Sequence, residues 1–317
     1  MWRYVLRRLI YMIPTLLLIT VAMFILLEIM PGDPLAMYME NPNLTAADME
    51  RLARQLGLDG PLHERYIKWL ARFVVGDWGY SFVTRRPVLD MIAERLPNTL
   101  VLMAAAYVLT LLIAVPAGVI SAVRQYSVFD FATMGSAFVC LSVPTFWLGL
   151  VLIMAFSVHL RLLPAGGMAT LGAGFSFADR VRHMILPVAA LSMQSAGVYA
   201  RYVRAGMLEI LSQDYVRTAR AKGLKERVVV YKHAFRNAML PFITVAALQL
   251  PDLFTGGVVT EMIFTWPGMG RLFWDAATRV DYPVIMGVSS VTAILVLLSN
   301  LLADILYAVV DPRIRYE

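Results

Sequence analysis

Three cations, Arg217, Arg220 and Lys222, lie close together in a short polar stretch between two strongly apolar segments of the chain. The stretch predicts a basic helix that ends at Gly223, since glycine commonly closes a helix. Ala219 and Gly223 are small and four residues apart, so on a helix they would leave a face that another protein can approach closely. We therefore expect the three cations to serve as a docking surface for an acidic partner.

Residues that could form a catalytic centre do not fall into a working pattern. His63 and Glu64 begin like a metalloprotease motif, but Ile67 stands where the second histidine ligand is needed. Asp252 and Asp304 are on separate apolar segments and lack the Gly-x-Gly-Asp setting of an aspartyl dyad. The glycine-rich loop with Lys and Ser or Thr that binds nucleotide phosphates is also absent from the sequence. The pattern disfavours an enzyme.

The composition indicates an integral membrane protein. Of the 317 residues, 59% are hydrophobic and 16% charged, and the mean hydropathy is +0.67, which is more apolar surface than a soluble core of this size hides. Continuous apolar runs of about twenty residues match a hydrocarbon core of about 30 Å and predict membrane-spanning helices. We predict an all-α protein with six spans: Leu9 to Ile29, Leu100 to Val123, Phe131 to Val158, Met184 to Met207, Pro241 to Ile263 and Val284 to Val310.

The distribution of positive charge predicts the orientation. Nine Lys or Arg lie between Arg201 and Arg236, whereas the loops after the third and fifth runs hold three and two. Cytoplasmic loops carry such an excess, so both termini and the loop between the fourth and fifth runs are expected in the cytoplasm. The net charge of +6 then reflects topology and not a nucleic-acid partner, and the single Cys140 excludes a disulfide framework.

We divide the chain into residues 1–30 with the first span, an extracytoplasmic cap at 31–96, and a core at 97–317 that contains a cytoplasmic loop at 208–240. The cap is expected to hold short amphipathic helices, one starting near Thr45 and one from Pro61 to Val75. No internal repeat and no second copy of the basic loop are found, so one chain offers one docking loop.

The basic loop, followed by an apolar run that reopens at Pro241, resembles the EAA loop of ABC importer permeases. Aligned on Gly223, the chain has Arg217 where the general pattern has Glu, and the gap to Pro241 is long; both departures are typical of the dipeptide/oligopeptide subfamily. Further landmarks of that subfamily are resembled by Arg7-Arg8-Leu9, Pro31-Gly32-Asp33-Pro34, the stretch from Glu261 through Trp266-Pro267-Gly268 to Gly270, and Asp311-Pro312-Arg313-Ile314-Arg315.

The resemblance implies a type I ABC importer permease, a bacterial inner-membrane subunit without its own ATP site. Its partners would be a homologous permease, two ATPase subunits that bind ATP and Mg, and an extracytoplasmic solute-binding protein. The substrates would be dipeptides, oligopeptides, glutathione or nickel complexes, among which the sequence does not choose. The coupling helix that docks into the ATPase would be Arg217, Thr218, Ala219, Arg220, Ala221, Lys222 and Gly223, braced by a second short helix from Lys225 to Asn237.

Polar residues inside the apolar runs mark a possible translocation path, because they are costly in a membrane and usually face a cavity or a partner. Gln249, Asp252, Gly256 and Gly257 are predicted to share one pore-lining stripe of the fifth helix, where Asp252 could pair with a substrate amine or with another helix. Trp266, Pro267 and Gly268 are predicted to form an outer turn that either contacts a solute or docked protein or anchors the turn at the membrane interface.

A secondary transporter or channel is the remaining alternative, since it too would be a helical bundle with a few intramembrane acids. It would leave the docking loop without a role, and the inverted repeats of many such carriers are not visible in the sequence.

Overall fold

The computed structural model describes residues 2–29, 35, 45–55, 58–252 and 257–310. These residues form helices and connecting loops with no β-strand; Tyr80 and Pro87 make one isolated antiparallel bridge. The helices outside the basic loop are α1 (Trp2–Ile29), α2 (Ala46–Gln55), α3 (Leu62–Val74), α4 (Val88–Val123), α5 (Val128–Ser142), α6 (Thr145–Leu152), α7 (Phe177–Leu211), α10 (Arg236–Leu248), α11 (Val258–Ile263), α12 (Met269–Thr278) and α13 (Tyr282–Val310). The loop contains α8 (Asp214–Ala221) and α9 (Glu226–Val228). The predicted all-α class is confirmed.

Among the described residues, three helices are long and apolar enough to cross a membrane, Val5–Ile29, Val88–Val123 and Tyr282–Ile305, and a bent pair would add a fourth. They cover the first, second and sixth predicted runs. The fourth run lies inside α7, whose 35 residues span about 52 Å at 1.5 Å per residue. α7 is less apolar than these three helices, and it packs against α4, α5 and α10. The count of six spans stays a prediction.

The third predicted run is not one straight helix. The chain breaks at Val143 and Pro144, and the helices on either side, Val128–Ser142 and Thr145–His159, meet at 104°. Proline cannot continue the hydrogen-bond ladder, and it disfavours helical geometry at the residue before it. The second half continues from α6 into a π-helical turn, Ile153–His159. The run therefore forms a broken or re-entrant segment.

The fifth predicted run is also interrupted. α10 ends at Leu248, and the chain turns through Gln249 to Pro251 before Asp252, which is again helical. Gly257 is not helical, and α11 begins at Val258. Pro251 has no backbone donor to extend α10. The expectation of a continuous helix from Pro241 to Ile263 is wrong.

Helices α4 and α7 form the centre of the bundle, where small residues let the two backbones approach closely. A Cβ added to Gly118 of α4 would lie 2.7 Å from the carbonyl oxygen of Ala200, and one added to Gly197 of α7 would lie 2.8 Å from the Cα of Ala137 in α5. Close helix approach through small residues is typical of membrane bundles. α4 and α7 thus pack closely, and the basic loop follows the C-terminal end of α7.

The cap packs onto the opposite end of the bundle. Asp281, buried at the start of α13, accepts hydrogen bonds from the Ser81 hydroxyl at 2.5 Å and from the Phe82 amide at 2.9 Å. α3 is held to the end of α1 by Arg65, which donates to Glu28 at 3.0 Å. The predicted boundary at residue 96 falls inside α4, which begins at Val88, so the cap passes into the core through a continuous helix.

Candidate functional site

The basic loop begins with α8, an amphipathic helix with one buried side. Val216 and Ala219 are three residues apart and pack with Val229 in a small apolar cluster that also touches Ile210 and Leu211 at the end of α7. Residues three apart share a face of a helix, which explains why Ala219 turns inward with Val216. The expectation that Ala219 clears an open docking face is therefore wrong: it seats α8 on the bundle.

The outward face of α8 carries Arg217, Thr218 and Ala221, followed by Lys222 and Gly223, and all of these are exposed. Arg217 is 72% exposed and lies 3.6 Å from Asp214, a weak surface pair. Arg220 is not available in the way the sequence suggested, because it donates two hydrogen bonds to Glu226 at 2.8 and 3.2 Å. Arg217 and Lys222 remain as exposed cations for an acidic partner.

The end of α8 is closed by Gly223, as predicted. Its φ is +77°, and its amide donates to the carbonyl of Arg220 at 2.9 Å, while the amide of Lys222 donates to Thr218 at 3.1 Å. Glycine adopts this left-handed conformation without the cost that a Cβ adds. No atom lies within 4 Å of where a Cβ would stand, so the position is open to a partner and is restricted by backbone conformation alone.

A second helical segment braces α8. α9 runs on as a π-helical stretch, Val229–Phe235, into α10. The side-chain Nδ2 of Asn237 donates a hydrogen bond to the hydroxyl of Tyr215 at 3.1 Å. The Arg220 guanidinium lowers the pKa of Glu226 below its ordinary value, and Glu226 raises the pKa of Arg220, chiefly through their hydrogen bonds. The brace predicted from Lys225 to Asn237 is present, with the ion pair fixing its start.

A small cleft of about 310 Å³ lies between the basic loop and the central helices. Residues of the last turns of α4 and α7 line one side of it, including Val123 and Leu211, and the Arg220–Glu226 pair lines the other. The basic loop thus lies beside the ends of α4 and α7.

The predicted pore residues lie at the break after α10. Gln249 and Asp252 are exposed at this turn, and the amide of Asp252 donates to the carbonyl of Gln249 at 3.1 Å. Gly257 is not helical and packs against Leu191 of α7, where an added Cβ would stand 3.2 Å from a methyl group. Gly256 lies outside the described residues. The prediction of one helical stripe is wrong because α10 ends at Leu248. Gln249 and Asp252 instead share the turn that follows it.

The predicted outer contact is buried. Trp266 is fully buried and its indole nitrogen donates to the carbonyl of Asn98 at 3.0 Å, while Asn98 in turn donates to the carbonyl of Pro267 at 2.8 Å. Gly268 is buried too. The expectation that this turn reaches a solute or docked protein is wrong for Trp266 and Gly268; the neighbouring Thr265 is the exposed residue.

The buried side chain of Glu261 explains why this turn contains glycine. Its carboxylate is fully buried and accepts hydrogen bonds from the Thr99 hydroxyl at 2.7 Å and the Arg271 amide at 3.0 Å. A Cβ at Gly268 would overlap this carboxylate. Glu261 thus links α11 to α4 and α12. Its burial is tolerated because both carboxylate oxygens accept hydrogen bonds.

Two arginines of α7 were missed by sequence reasoning. Arg204 forms an ion pair with the buried Asp130 of α5, and Arg201 lies over the ring of Phe138 with 5.3 Å from its guanidinium carbon to the ring centroid. The signal was available, since arginines three apart inside an apolar run need partners. That α5 supplies those partners depends on tertiary packing, which no local pattern indicates.

Comparison with known proteins gives the family. Residues 114–316 match the model described as "Binding-protein-dependent transport system inner membrane component", and residues 1–103 match that of its N-terminal region, "Binding-prot-dependent transport system membrane comp, N-term". The chain belongs to this family. It is a membrane component of an ABC importer that works with a binding protein.

Relatives cover the whole chain. The oligopeptide transport system permease protein AppB of Bacillus subtilis (strain 168) is 48% identical over 99% of both chains. In Escherichia coli (strain K12), the dipeptide transport system permease protein DppB is 39% identical and the glutathione transport system permease protein GsiC 41%, each over 100% of both chains.

One solved structure shares the fold. A chain of the inward-facing MetNI methionine ABC transporter superposes with a TM-score of 0.54 at 17% identity, covering 71% of this chain and 98% of its own length. At this identity the likeness concerns the fold alone, which is that of a type I importer permease.

Proposed function

We propose that the chain is one of two transmembrane subunits of an ATP-driven importer of peptides or closely related solutes. The names of its full-length relatives support this substrate class: an oligopeptide, a dipeptide and a glutathione permease. Glutathione is itself a short peptide derivative, so it falls within the same class, and nickel complexes remain the alternative that the subfamily resemblance implies.

The observation that carries the proposal is the construction of α8. Its apolar side is seated by Val216 and Ala219, its end is closed by Gly223, and its outward side carries Arg217 and Lys222. A rigidly mounted helix with an exposed basic face suits a cleft on another protein. We assign the exposed residues of this segment, Arg217, Thr218, Ala221, Lys222 and Gly223, to docking on an ATPase subunit. Closing of that subunit would push on the ends of α4 and α7 and switch access to the cavity.

The proposed assembly contains a homologous permease, two ATPase subunits and an extracytoplasmic binding protein, with ATP and Mg held by the ATPases. A single docking loop per chain supports the need for a second permease. Asp304 near the end of α13 pairs with Arg8 at 2.9 Å, and α13 and α4 are packed together at their beginnings, where Val88 meets Gly287. The C-terminal ends of α13 and α4 therefore lie at the same end of the bundle as the basic loop. This arrangement supports placing both termini and α8 on the cytoplasmic side.

The translocation path is proposed to pass the break after α10. Exposed Gln249 and Asp252 in an otherwise apolar segment suit a water-filled cavity between two permeases, because irregular backbone at membrane depth is tolerated where it lines such a cavity. Asp252 would pair with the substrate's amine.

The test is ATP hydrolysis by the complex co-purified with its partner subunits in proteoliposomes, with binding protein and peptide added. Ala221→Arg adds a large side chain to the exposed face of α8 without straining the backbone. Gly223→Arg also adds a large side chain, but at a residue with positive φ, where it strains the backbone. Gly223→Asn is the conformational control, since asparagine tolerates left-handed geometry. Ala71→Arg, exposed on α3 at the other end, is the matched control for bulk and charge.

We expect peptide-stimulated hydrolysis to fall at least tenfold in Ala221→Arg and Gly223→Arg while Gly223→Asn and Ala71→Arg keep most of it. A tenfold loss corresponds to about 1.4 kcal/mol of lost coupling. Full stimulation in Ala221→Arg would refute the docking assignment. Solute flux that follows an ion gradient with no associated ATPase would refute the importer itself.

A further inference from the structure

A cavity of about 670 Å³ opens beside the end of α1 that lies opposite the basic loop at 208–240, the proposed coupling loop. Its walls are the last turn of α1, one side of α3, the segment 77–85 and the start of α13. This volume is in the range of ligand sites. The translocation path and the coupling loop use none of its residues.

One side of the cavity is aromatic and firmly held. Trp69 stacks on Phe73 with ring centroids 5.0 Å apart, and Phe73 stacks on Trp78 at 4.9 Å. Trp69 and Trp78 both face the cavity, beside Phe24 and Leu27 of α1. Tryptophan and tyrosine collect at the depth where the hydrocarbon meets the headgroups.

The rim of the cavity is basic. Four cations and two carboxylates line it, so it carries a net charge of +2: Arg65, Lys68, Arg72 and Arg85 against Glu28 and Asp77. Arg65 already neutralises Glu28. Lys68 makes only a loose pair with Glu64 at 3.7 Å, and within the described part of the chain Arg72 forms no salt bridge. Lys68 and Arg72, one turn apart on α3, are positioned to meet an anion.

The position of the cavity indicates where its ligand comes from. Its apolar walls, Leu27 and Met286, belong to the ends of two spans, and its basic rim lies just beyond them. α1 is only 6% buried along its apolar window, which places it at the periphery of the chain. A ligand would therefore enter sideways from the bilayer, with an apolar part against Leu27 and an anionic part at α3.

We propose that this cavity binds an anionic phospholipid of the leaflet opposite the coupling loop, with the phosphate at Lys68 and Arg72 and the upper acyl chain against Leu27 and Met286. The bound lipid would join α1 to α3 and α13 and so steady the cap on the bundle. The proposal requires only that the chain spans a membrane, and it is independent of the solute carried.

The test uses the complete complex in detergent with added phosphatidylglycerol or phosphatidylcholine, and counts bound lipids by native mass spectrometry. The variant is Lys68→Glu with Arg72→Glu. The matched control is Arg51→Glu with Arg54→Glu on α2, which makes the same charge change at exposed sites of the cap. Peptide-stimulated ATP hydrolysis is measured in parallel as the check on folding and assembly.

We expect one bound phosphatidylglycerol per chain that phosphatidylcholine does not replace. Its affinity should fall roughly tenfold or more in the Lys68/Arg72 variant and stay unchanged in the control, since basic residues attract an anionic headgroup. Equal lipid binding in both variants would overturn the proposal. Displacement of the lipid by peptide would also overturn it, by making the cavity a solute site. A wild-type complex that binds the lipid but shows no peptide-stimulated ATP hydrolysis would count against the proposed function and leave the lipid site standing.

Discussion

Arg204 and Asp130 form a two-bond ion pair between α7 and α5, with Nε to Oδ1 and Nη2 to Oδ2 both at 2.7 Å. Asp130 also accepts a hydrogen bond from the backbone amide of Tyr126 at 3.0 Å. Both carboxylate oxygens therefore have partners, although the side chain is only 4% exposed. Arg204 precedes the start of α8 by roughly three helical turns. The pair links the beginning of α5 to α7, which leads into the basic loop, so both helices would move together.

Breaking this pair should destabilise the protein. Asp130→Asn leaves Arg204 without its counter-charge, and removal of one partner from a buried pair costs about 3 kcal/mol. We expect a lower thermal midpoint of the detergent-solubilised complex, measured by loss of monodispersity on heating. Glu50→Gln breaks an exposed pair with Arg54 at 3.7 Å and should leave the midpoint unchanged. Equal midpoints for Asp130→Asn and wild type would show that the pair contributes nothing.

The course of the helices was predictable from the sequence only where apolar periodicity was uninterrupted. The first, second, fourth and sixth runs each lie within one helix that begins before the predicted start, at Trp2, Val88, Phe177 and Tyr282. Pro144 and Pro251 broke the third and fifth runs. Both prolines were visible in the sequence. Runs of apolar residues alone do not distinguish a straight span from one bent within the membrane, because both bury the same surface.

The site was predictable where local contacts decide it. Gly223 closes α8 as its position after a basic helix indicates, whereas the burial of Trp266 depends on Asn98, 168 residues earlier in the chain. Such long-range packing leaves no local pattern. The inward turn of Ala219 is a different case, since its spacing from Val216 already placed both on the apolar side of α8.

Gly268 should be intolerant of a side chain. Gly268→Ala sets a methyl group into the space of the Glu261 carboxylate, which must then leave the Thr99 hydroxyl. Overpacking of this kind costs about 1–3 kcal/mol, to which lost hydrogen bonds add. We expect a clear drop in the thermal midpoint of the complex.

Gly135 provides the contrast for Gly268. It lies in α5 with no atom within 4 Å of where a Cβ would stand, so Gly135→Ala should be neutral or stabilise by up to about 1 kcal/mol through helix propensity. If Gly268→Ala proved as stable as Gly135→Ala, the tight seat of Glu261 would be refuted.

The second helical segment that braces α8 should become less stable in acid. The pKa of Glu226 is lowered in the folded protein by Arg220, so the pair contributes stability above the unfolded value of about 4.3 and loses it as pH falls through the lower folded value. Hydrogen exchange of the amides at 226–235, corrected for intrinsic rates, should show constant protection from pH 7 to about 5 and a decline below about 4.3.

Glu226→Gln is the control for the acid effect. It removes the charge at every pH, so the protection of these amides should be lower at neutral pH and nearly flat down to the acid range. An acid decline of equal size in Glu226→Gln would assign the effect to another group.

Asp252 should affect recognition of the substrate's amine if the path passes the turn after α10. Asp252→Asn removes the charge from an exposed side chain at little cost in structure, since the change is nearly isosteric. Exposed ion pairs contribute about 0.2–1 kcal/mol, so the KM for uptake of a free dipeptide should rise by up to about fivefold while N-acetylated peptide is unaffected. Asp275→Asn, exposed on α12, makes the same change away from the path. Unchanged uptake of the free dipeptide in Asp252→Asn would remove the carboxylate from recognition and leave it a role between helices.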